Sequence, residues 1–162
     1  MQLIQGLNRA VTTTPGRTAT IFRDRSFTWA QVAERIARLA GGLARLGLAR
    51  GERIAIMALN SDRYWEAMYA IPGLGAIMVP LNIRLASPEI AFMLGDSGAR
   101  ALIIDDTFAS LPAQLAGQMG DVTHIIHIGE AATPPGMIPW ESLLADHPPG
   151  FAPPWLRGRR RQ

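Results

Sequence analysis

Short apolar runs alternate with stretches of helical period along most of this chain, and that alternation constrains the fold more than any other feature. The runs predicted to form strands are residues 53–59, 76–81, 99–104 and 122–128. They are apolar almost throughout, which is typical of strands covered on both faces. Because neighbouring parallel strands need a crossover such as a helix, the sequence predicts a layered α/β fold with a mostly parallel sheet and flanking helices.

A β-hairpin and a long helix are predicted ahead of the first of these strands. The hairpin strands are residues 18–22 and 26–28, on either side of Arg23-Asp24-Arg25. Thr28 and Gln31 have the spacing of a capping box, so the helix should begin after Thr28. Its apolar stripe comprises Val32, Ile36, Leu39, Leu43 and Leu46. Gly47 should end it in a left-handed conformation, and Gly41-Gly42 indicates a close backbone contact within it.

Further helices are predicted between the later strands. Asn60 or Ser61 can cap a helix that Pro72 and Gly73 should stop at about residue 71. Ser87-Pro88-Glu89 offers a capping hydroxyl, a first-turn proline and an acid near the positive end of the helix dipole. That helix should end near Gly95. Residues 107–116 are predicted to form a third short helix, and residues 140–144 a short helical piece.

The composition excludes several classes of chemistry. All 16 basic residues are arginine, and the 162 residues include no cysteine. A Walker-type phosphate loop and Schiff-base chemistry both need a lysine, while disulfides and thiolate metal sites need cysteine. The net charge of +3 comes from Arg157, Arg159, Arg160 and Arg161, because the other 12 arginines are set against 13 acidic residues. A nucleic-acid partner is therefore not expected.

No targeting or membrane-spanning segment is predicted. Residues 1–6 carry no basic run followed by a long apolar stretch, so a signal peptide is not expected. The most apolar region, residues 67–81, is interrupted by Pro72, Gly73 and Gly75, and is shorter than the roughly 20 residues that span a bilayer. We therefore expect a cytoplasmic protein, with which the absence of cysteine is compatible.

Two motifs resemble a catalytic or a metal-binding site, but their chemistry supports neither function. Gly95-Asp96-Ser97-Gly98 matches the nucleophile segment of chymotrypsin-like proteases, but their histidine base lies upstream of the serine, and the first histidine here is His124. A helix end and turn is the preferred interpretation. His124 and His127 lie three residues apart in a predicted strand, so their side chains should point to opposite faces. Ordinary strand histidines are preferred to a metal pair.

Three further features have both a structural and a functional interpretation. Asp105-Asp106 follows a predicted strand, where open α/β sheets bind ligands, but a helix cap before Thr107 is favoured. Gly73-Leu74-Gly75 lacks the third glycine of a dinucleotide fingerprint and precedes a strand rather than a helix. Tyr64, Trp65 and Tyr69 form an aromatic cluster on a predicted helix, for which core or interface packing is favoured over a ligand surface.

The order of segments from Thr12 to about Asp106 resembles the N-terminal region of AMP-forming acyl-CoA synthetases, especially the fatty-acid ligases. It comprises Phe27-Thr28-Trp29, the run GLARLGLARGERIAIMALNS over residues 42–61, GLGAIMVPLNIRL over 73–85, SPEIAFML over 87–94 and DSGARALIID over 96–105. The most specific part is GA-x-x-VPLN-x-R-L followed by the helix and DSGAR. Asn82, Arg84 and Glu89 match the family's pattern at positions that look structural.

The resemblance implies ATP-dependent activation of a carboxylic acid to an acyl-adenylate, with Mg²⁺ as metal, followed by displacement of AMP by the thiol of CoA. The family binds the triphosphate in a Ser/Thr/Gly-rich loop that ends in lysine, and a second lysine in a mobile lobe drives adenylation. Neither lysine has a counterpart in a chain without lysine. No catalytic, cofactor-binding or metal-binding residue is therefore assigned, and ATP, Mg²⁺ and CoA are expected only for a full-length ligase.

We accordingly expect residues 1–146 to be part of an AMP-binding N-terminal domain, and 147–162 to be a proline-rich linker with an arginine-rich tail. On this interpretation the chain is truncated before the phosphate loop and is inactive alone. The final residues, LRGRRRQ, are compatible with a shifted reading frame. Its partner would be the remainder of the ligase fold, or another copy bound through an exposed sheet edge. The alternatives are a non-catalytic α/β interaction module and one part of a split ligase.

Overall fold

Five parallel strands form the central sheet of the protein. The computed structural model describes residues 3–145. Its sheet strands are β3 (Arg53–Met57), β4 (Ile77–Pro80), β5 (Ala99–Ile104), β6 (His124–His127) and β7 (Ile138–Pro139). They lie in the order β4-β3-β5-β6-β7, and every neighbouring pair is parallel. This confirms the predicted α/β fold. The short strand β7 was not predicted, and it adds an outer strand beside β6.

The sheet is covered by helices on both faces. The helices are α1 (Leu3–Thr13), α2 (Trp29–Arg45), α3 (Asp62–Leu74), α4 (Ser87–Ser97), α5 (Leu111–Gln114) and α6 (Trp140–Ala145). One core cluster joins α1, α2, α3 and α6 to the sheet, and a second joins α4 and α5 to the opposite face. Along β3, Ile54 and Ile56 belong to the first cluster while Ala55 and Met57 belong to the second, as the two-residue period of a strand requires.

The strand order reverses between β3 and β5. From β3 the chain crosses through α3 to β4 on one side, and α4 then returns it past β3 to β5 on the other side. In open parallel sheets, such a reversal leaves a crevice at the carboxyl ends of the two central strands, because the connections on either side lead away from it.

The predicted hairpin and the predicted start of α2 are confirmed. The antiparallel pair β1 (Thr18–Phe22) and β2 (Arg25–Thr28) leads directly into α2. The Gln31 backbone N–H donates to Thr28 Oγ1 at 3.3 Å, and the Thr28 N–H donates to Gln31 Oε1 at 2.8 Å. These reciprocal bonds form the capping box. At the other end Gly47 has φ +79°, in the left-handed region that was predicted for it.

Gly42 lies directly against the backbone of α6. A Cβ built at Gly42 would overlap the carbonyl group of Leu143 and would lie 2.9 Å from the Leu143 Cβ. The close backbone contact indicated by Gly41-Gly42 is therefore confirmed at Gly42, because only a residue without a side chain lets α2 and α6 approach this far.

Several helix boundaries differ from the prediction. Ala86, not Ser87, precedes the first turn of α4, and the Ser87 hydroxyl donates instead to Gln114 Oε1 at 3.1 Å. Helix α3 continues through Pro72 to Leu74, with Gly75 in the left-handed conformation after it. The predicted helix over residues 107–116 is a 3₁₀ turn, Asp106–Phe108, followed by the four-residue α5, in which Pro112 lies at the start. Helix α1 was not predicted. The predicted linker and tail, residues 147–162, lie outside the described residues.

No helix among residues 3–145 is both long enough and apolar enough to cross a lipid bilayer.

Candidate functional site

A cleft opens at the carboxyl ends of β3, β5 and β6, where the strand order reverses. It is lined by the segments that follow those strands, residues 59–61, 105–107 and 128–130, together with Phe22 and Arg23 of the hairpin turn. This is the position at which open α/β sheets bind ligands. Its volume is ≈ 170 Å³.

Asp105 holds two of these segments together. Its Oδ2 accepts a hydrogen bond from the Leu59 backbone N–H at 2.7 Å, and its Oδ1 accepts one from the Thr107 N–H at 3.0 Å. The second bond caps the 3₁₀ turn, which confirms the interpretation of Asp105 as a cap. Because each of its oxygens accepts a backbone N–H, Asp105 is a structural acid that ties the end of β5 to the segment after β3.

Asp106 fixes the segment that follows β6. Its Oδ2 accepts from the Glu130 N–H at 2.7 Å, and its Oδ1 accepts from the Ala131 N–H at 3.2 Å. Oδ1 also lies 3.0 Å from His127 Nε2, but the two groups are not aligned as a hydrogen bond, so the backbone donors dominate. Burial acts to raise the pKa of Asp106, and the N–H groups of Glu130 and Ala131 outweigh it and hold that pKa below its ordinary value.

Two arginines, Arg25 and Arg63, hold together the segments around the cleft. Arg25 makes a two-pronged contact with Asp62, with both N–O distances at 2.8 Å, and another with Glu130, with both at 2.7 Å. Burial acts to raise the pKa of Asp62, but the hydrogen bonds from Arg25 lower it overall. For Glu130 the contact with Arg25 is the main influence, and it too lowers the pKa. Arg63 Nη1 donates to the Ile128 carbonyl at 3.1 Å. The hairpin, α3 and the segment after β6 are thus held in one arrangement.

A second ion-pair cluster joins α2, α3 and α6. Arg35 contacts Glu66 and Glu141, and Glu66 Oε2 also accepts the indole N–H of Trp140 at 3.0 Å. Glu66 is only 1% exposed. Burial raises the pKa of Glu66 because the bonds from Arg35 and Trp140 offset only part of the cost of desolvating its charge. This cluster lies under α6 and takes no part in the cleft.

The residues that line the cleft provide few groups for binding a nucleoside triphosphate. Pockets that enclose drug-sized molecules measure roughly 300–1,000 Å³, which is well above its volume. Asp105, Asp106 and Glu130 present negative charge toward it, and Arg23 is the one cationic side chain among its lining residues. Within residues 3–145 no group of three or more His, Cys, Asp or Glu is placed to hold a metal ion. We therefore derive no phosphate or metal chemistry from it.

The other sequence candidates lie apart from the cleft. Ser97 precedes β5, at the opposite end of the sheet, and its hydroxyl donates to the Leu94 carbonyl at 3.2 Å, as expected for a helix end. His124 Nε2 lies 3.1 Å from the Leu46 carbonyl, whereas His127 Nδ1 lies 3.4 Å from Thr133 Oγ1, so the two rings diverge. Gly75 ends α3, away from any phosphate-binding turn.

The aromatic cluster is also structural. The Trp65 ring lies 4.5 Å from that of Tyr69 and 6.2 Å from that of Trp29, measured between centroids. All three side chains, with Tyr64, are partly buried against the first core cluster. This confirms the preference for core packing over a ligand surface.

Sequence reasoning missed the hairpin turn and Glu130 as cleft residues. Arg23 has φ +54°, and it is the one non-glycine residue with positive φ among residues 3–145. Its guanidinium carbon lies 5.5 Å from the centre of the Phe22 ring. Leu59 and Asn60 could have been identified, because they directly follow a predicted strand at a possible crevice. Glu130 could have been identified in the same way, because it follows the predicted strand over residues 122–128, whereas the hairpin with Arg23 is held beside the cleft by the long-range contacts of Arg25.

The protein is a doubly wound α/β layer, and comparison with known proteins identifies the family to which it belongs. A family model described as "AMP-binding enzyme" matches residues 7–154. The long-chain-fatty-acid–CoA ligase of Thermus thermophilus is 35% identical over 119 residues, which cover 74% of this chain and 22% of that protein. The peroxisomal acetate/butyrate–CoA ligase of Arabidopsis thaliana is 32% identical over 165 residues, covering 92% of this chain and 29% of that protein.

Solved structures show the same relationship. An anthranilate CoA ligase in complex with anthranoyl-AMP superposes with a TM-score of 0.83 at 29% identity, over 90% of this chain and 28% of that one. A Mycobacterium tuberculosis fatty acyl CoA synthetase superposes with a TM-score of 0.76 at 30% identity, over 92% of this chain and 30% of that one. The chain belongs to the AMP-binding enzyme family, the adenylate-forming acid–CoA ligases. It corresponds to their N-terminal region and spans less than a third of the length of each of these relatives.

Proposed function

We propose that this chain provides the N-terminal α/β layer of an ATP-dependent acid–CoA ligase and does not catalyse the reaction alone. In the complete reaction a carboxylate oxygen attacks the α-phosphate of ATP, giving an acyl-adenylate and pyrophosphate. The thiol of CoA then attacks the acyl carbon, giving a thioester and releasing AMP. ATP, Mg²⁺ and CoA would be bound by parts of a ligase beyond the matched region.

One observation carries this proposal: residues that superpose on a ligase with a TM-score of 0.83 contain a cleft lined by Asp105 and Asp106, whose oxygens bind backbone N–H groups, and, within residues 3–145, by a single arginine. Stabilising a transferring phosphoryl group needs preorganised cations or a metal. Arg23 is the one arginine among the described residues that line the cleft, and the neighbouring Arg25 and Arg63 are paired with Asp62 and Glu130. These residues therefore support a scaffold role.

The acid and the cellular location are finer parts of the same proposal. A fatty acid is the substrate we favour, because relatives described as a long-chain-fatty-acid–CoA ligase and a fatty acyl CoA synthetase match the chain over 74% and 92% of its length. Other relatives act on acetate or butyrate, so the comparison with short acids belongs in the test. The cytoplasm is the location we propose, since the chain contains no cysteine that would need an oxidising compartment.

Carboxylate-dependent exchange of radiolabelled pyrophosphate into ATP tests the proposal. The assay compares the purified 162-residue chain with the same chain fused to the part of the Thermus thermophilus ligase that follows its matched region, using a long-chain fatty acid and acetate as acids. We expect no exchange by the chain alone and exchange by the fusion. The fused part without this chain is the control. Exchange by the chain alone, or a folded fusion without exchange, would contradict the proposal.

A further inference from the structure

The outer side of α4 carries an apolar surface that no described residue covers. Leu85, Pro88, Phe92 and Met93 line a shallow groove there, with Glu89 as its one charged residue in the described part of the chain, and we call this groove the α4 surface. Phe92 is 70% exposed, although Ile90 and Leu94 on the opposite side of the same helix are buried in the second core. Monomeric proteins seldom leave a phenylalanine and its apolar neighbours exposed together, and such patches mark sites of contact.

The outermost strand extends this apolar surface. Val79 of β4 packs against the second core cluster, on the side of the sheet that carries α4. Ile77 is two residues away on the same strand, so it faces the same side, and it is 51% exposed. Helix α4 therefore covers the inner strands but leaves the margin of β4 open to contact by another element.

The free edge of β4 is poorly suited to adding another strand. The backbone N–H groups of Ile77 and Leu81 donate inward to Glu52 and Ile56 of the neighbouring segment, at 2.8 Å and 2.9 Å. Since directions alternate along a strand, Met78 and Pro80 point outward. Proline has no N–H, so this edge offers a single backbone donor, and a proline here is a common protection against strand addition. Any partner must dock mainly through side chains.

We infer that the α4 surface, with Ile77 and Val79, is the docking face for the part of the acid–CoA ligase fold that lies beyond the matched region. This inference rests on the proposed function. The chain superposes on 28% of the anthranilate CoA ligase and 30% of the fatty acyl CoA synthetase, so most of each of these ligases has no counterpart among these residues. The occupant presents an apolar surface to Phe92 and does not continue the sheet by pairing with β4.

A second copy of the chain is a less suitable occupant. A stable dimer buries roughly 800 Å² on each partner, from about 20–30 residues. The α4 surface with Ile77 and Val79 provides only six apolar side chains, and Leu85, Met93 and Val79 already pack partly against the second core cluster. A larger ligase part can instead continue its contact beyond these six residues.

Thiol labelling tests the docking face, because the chain has no cysteine of its own. Phe92→Cys introduces one thiol on the α4 surface. Ile21→Cys is the matched control, since Ile21 is 76% exposed and lies on the hairpin. Trypsin cleaves after Arg84 and Arg100 and after Arg17 and Arg23, so mass spectrometry follows positions 92 and 21 in separate peptides. Labelling by a maleimide is compared between the 162-residue chain and the fusion described above.

We expect labelling at position 92 to be at least about tenfold slower in the fusion than in the chain alone, as for a site open less than about a tenth of the time. The rate at position 21 should change less than about twofold by the same reasoning. Pro88→Cys, on the same surface and in the same peptide, repeats the measurement without removing Phe92. Equal rates at positions 92 and 88 in chain and fusion would overturn the inference.

The outcomes separate this inference from the proposed function. Pyrophosphate exchange without protection of positions 88 and 92 leaves the function standing and overturns the docking face. Protection without exchange supports the docking face and contradicts the function. Protection at 92 in the chain alone, with a dimer on size-exclusion chromatography, assigns the surface to a second copy and overturns the inference. An insoluble fusion counts against both, because this chain then cannot replace the matched region.

Discussion

Replacing Gly42 with alanine tests how closely α6 is seated on α2. In an open helix interior this substitution is stabilising, by about 1 kcal/mol, because alanine has a better helix propensity. At Gly42 the added methyl group would meet the backbone of Leu143 in α6. The obstacle is main chain and not the end of a movable side chain, so either α6 moves as a unit or the contact is lost.

The expected size follows from the distances. The Cβ position at Gly42 lies 2.9 Å from the Leu143 Cβ, whereas carbon atoms in contact prefer about 3.5–4.0 Å. Overpacking a core by a methyl group costs about 1–3 kcal/mol, and a backbone obstacle places this site toward the upper end. After the gain in helix propensity, Gly42→Ala should lower the free energy of unfolding by about 1–2 kcal/mol. For a chain of this size each 1 kcal/mol lowers Tm by about 2–4 °C.

Gly6→Ala is the matched control. Gly6 lies within α1, and nothing lies within 4 Å of the Cβ position there. The same substitution should raise the free energy of unfolding by about 0.5–1 kcal/mol at that position. Thermal and urea unfolding followed by circular dichroism measure both variants. In a ¹H–¹⁵N spectrum the indole signal of Trp140, whose N–H donates to Glu66, should shift in Gly42→Ala and stay unchanged in Gly6→Ala.

Equal stabilisation by the two substitutions would refute this reasoning. It would mean that the backbone of α6 does not approach α2 at Gly42, and that Gly42 has no role that alanine could not fill.

Three further predictions concern the ion pairs and the cleft. Glu66→Ala leaves the Trp140 indole without its acceptor and, within residues 3–145, leaves Arg35 paired with Glu141 alone, so unfolding experiments should show a loss of about 1–3 kcal/mol. Glu34→Ala, in the exposed pair with Arg38, should cost about 0.5 kcal/mol or less, and equal losses in the two variants would contradict the distinction. Asp105→Ala should lower the free energy of urea unfolding by about 0.5–2 kcal/mol and increase hydrogen exchange at the Leu59 and Thr107 N–H groups. If those two N–H groups stay protected in the variant, Asp105 is not the cap. Arg25 lowers the pKa of Asp62, despite burial, and that of Glu130. Both carboxylates therefore contribute stability that is complete above about pH 5 and is lost as the pH falls through their folded-state pKa values. Arg25→Gln should make the free energy of unfolding depend less on pH in this acidic range, and an unchanged dependence would contradict the prediction.

The strands were the most predictable part of the fold. Residues 53–57 and 99–104 are apolar almost throughout because both faces of the parallel sheet are covered, so their composition alone identified them. The capping box at Thr28 was equally local, since donor and acceptor lie three residues apart. In both cases the physical cause lies within the segment itself.

Boundaries that depend on tertiary contacts were less predictable. Ser87 has the chemistry of a helix cap, but Gln114 of α5 takes its hydroxyl, and no local pattern shows that the two helices meet. The predicted helix over residues 107–116 overlooked Pro112, which cannot donate a backbone hydrogen bond and so divides the segment into two short turns. Helix α1 has an apolar side that includes Leu7 and Val11, but no capping residue marked its beginning.

The cleft was predictable only in part. Asp105 and Asp106 follow a recognisable strand, so their position at the carboxyl end of the sheet could be inferred. Glu130 follows the predicted strand over residues 122–128 and could be inferred in the same way. The participation of Arg23 could not, because the hairpin is held beside the cleft by Arg25, which contacts Glu130 more than 100 residues further along the chain. No local pattern in the sequence predicts this long-range contact.

Prolines at both margins of the sheet bear on how this protein would form deposits. Strand β4 ends in Pro80 and β7, the outermost described strand on the other side, ends in Pro139. A cross-β fibril requires an uninterrupted row of amide donors stacked from one molecule to the next. Neither margin of this sheet supplies such a row, so fibril growth by strand addition to the folded five-stranded sheet is disfavoured.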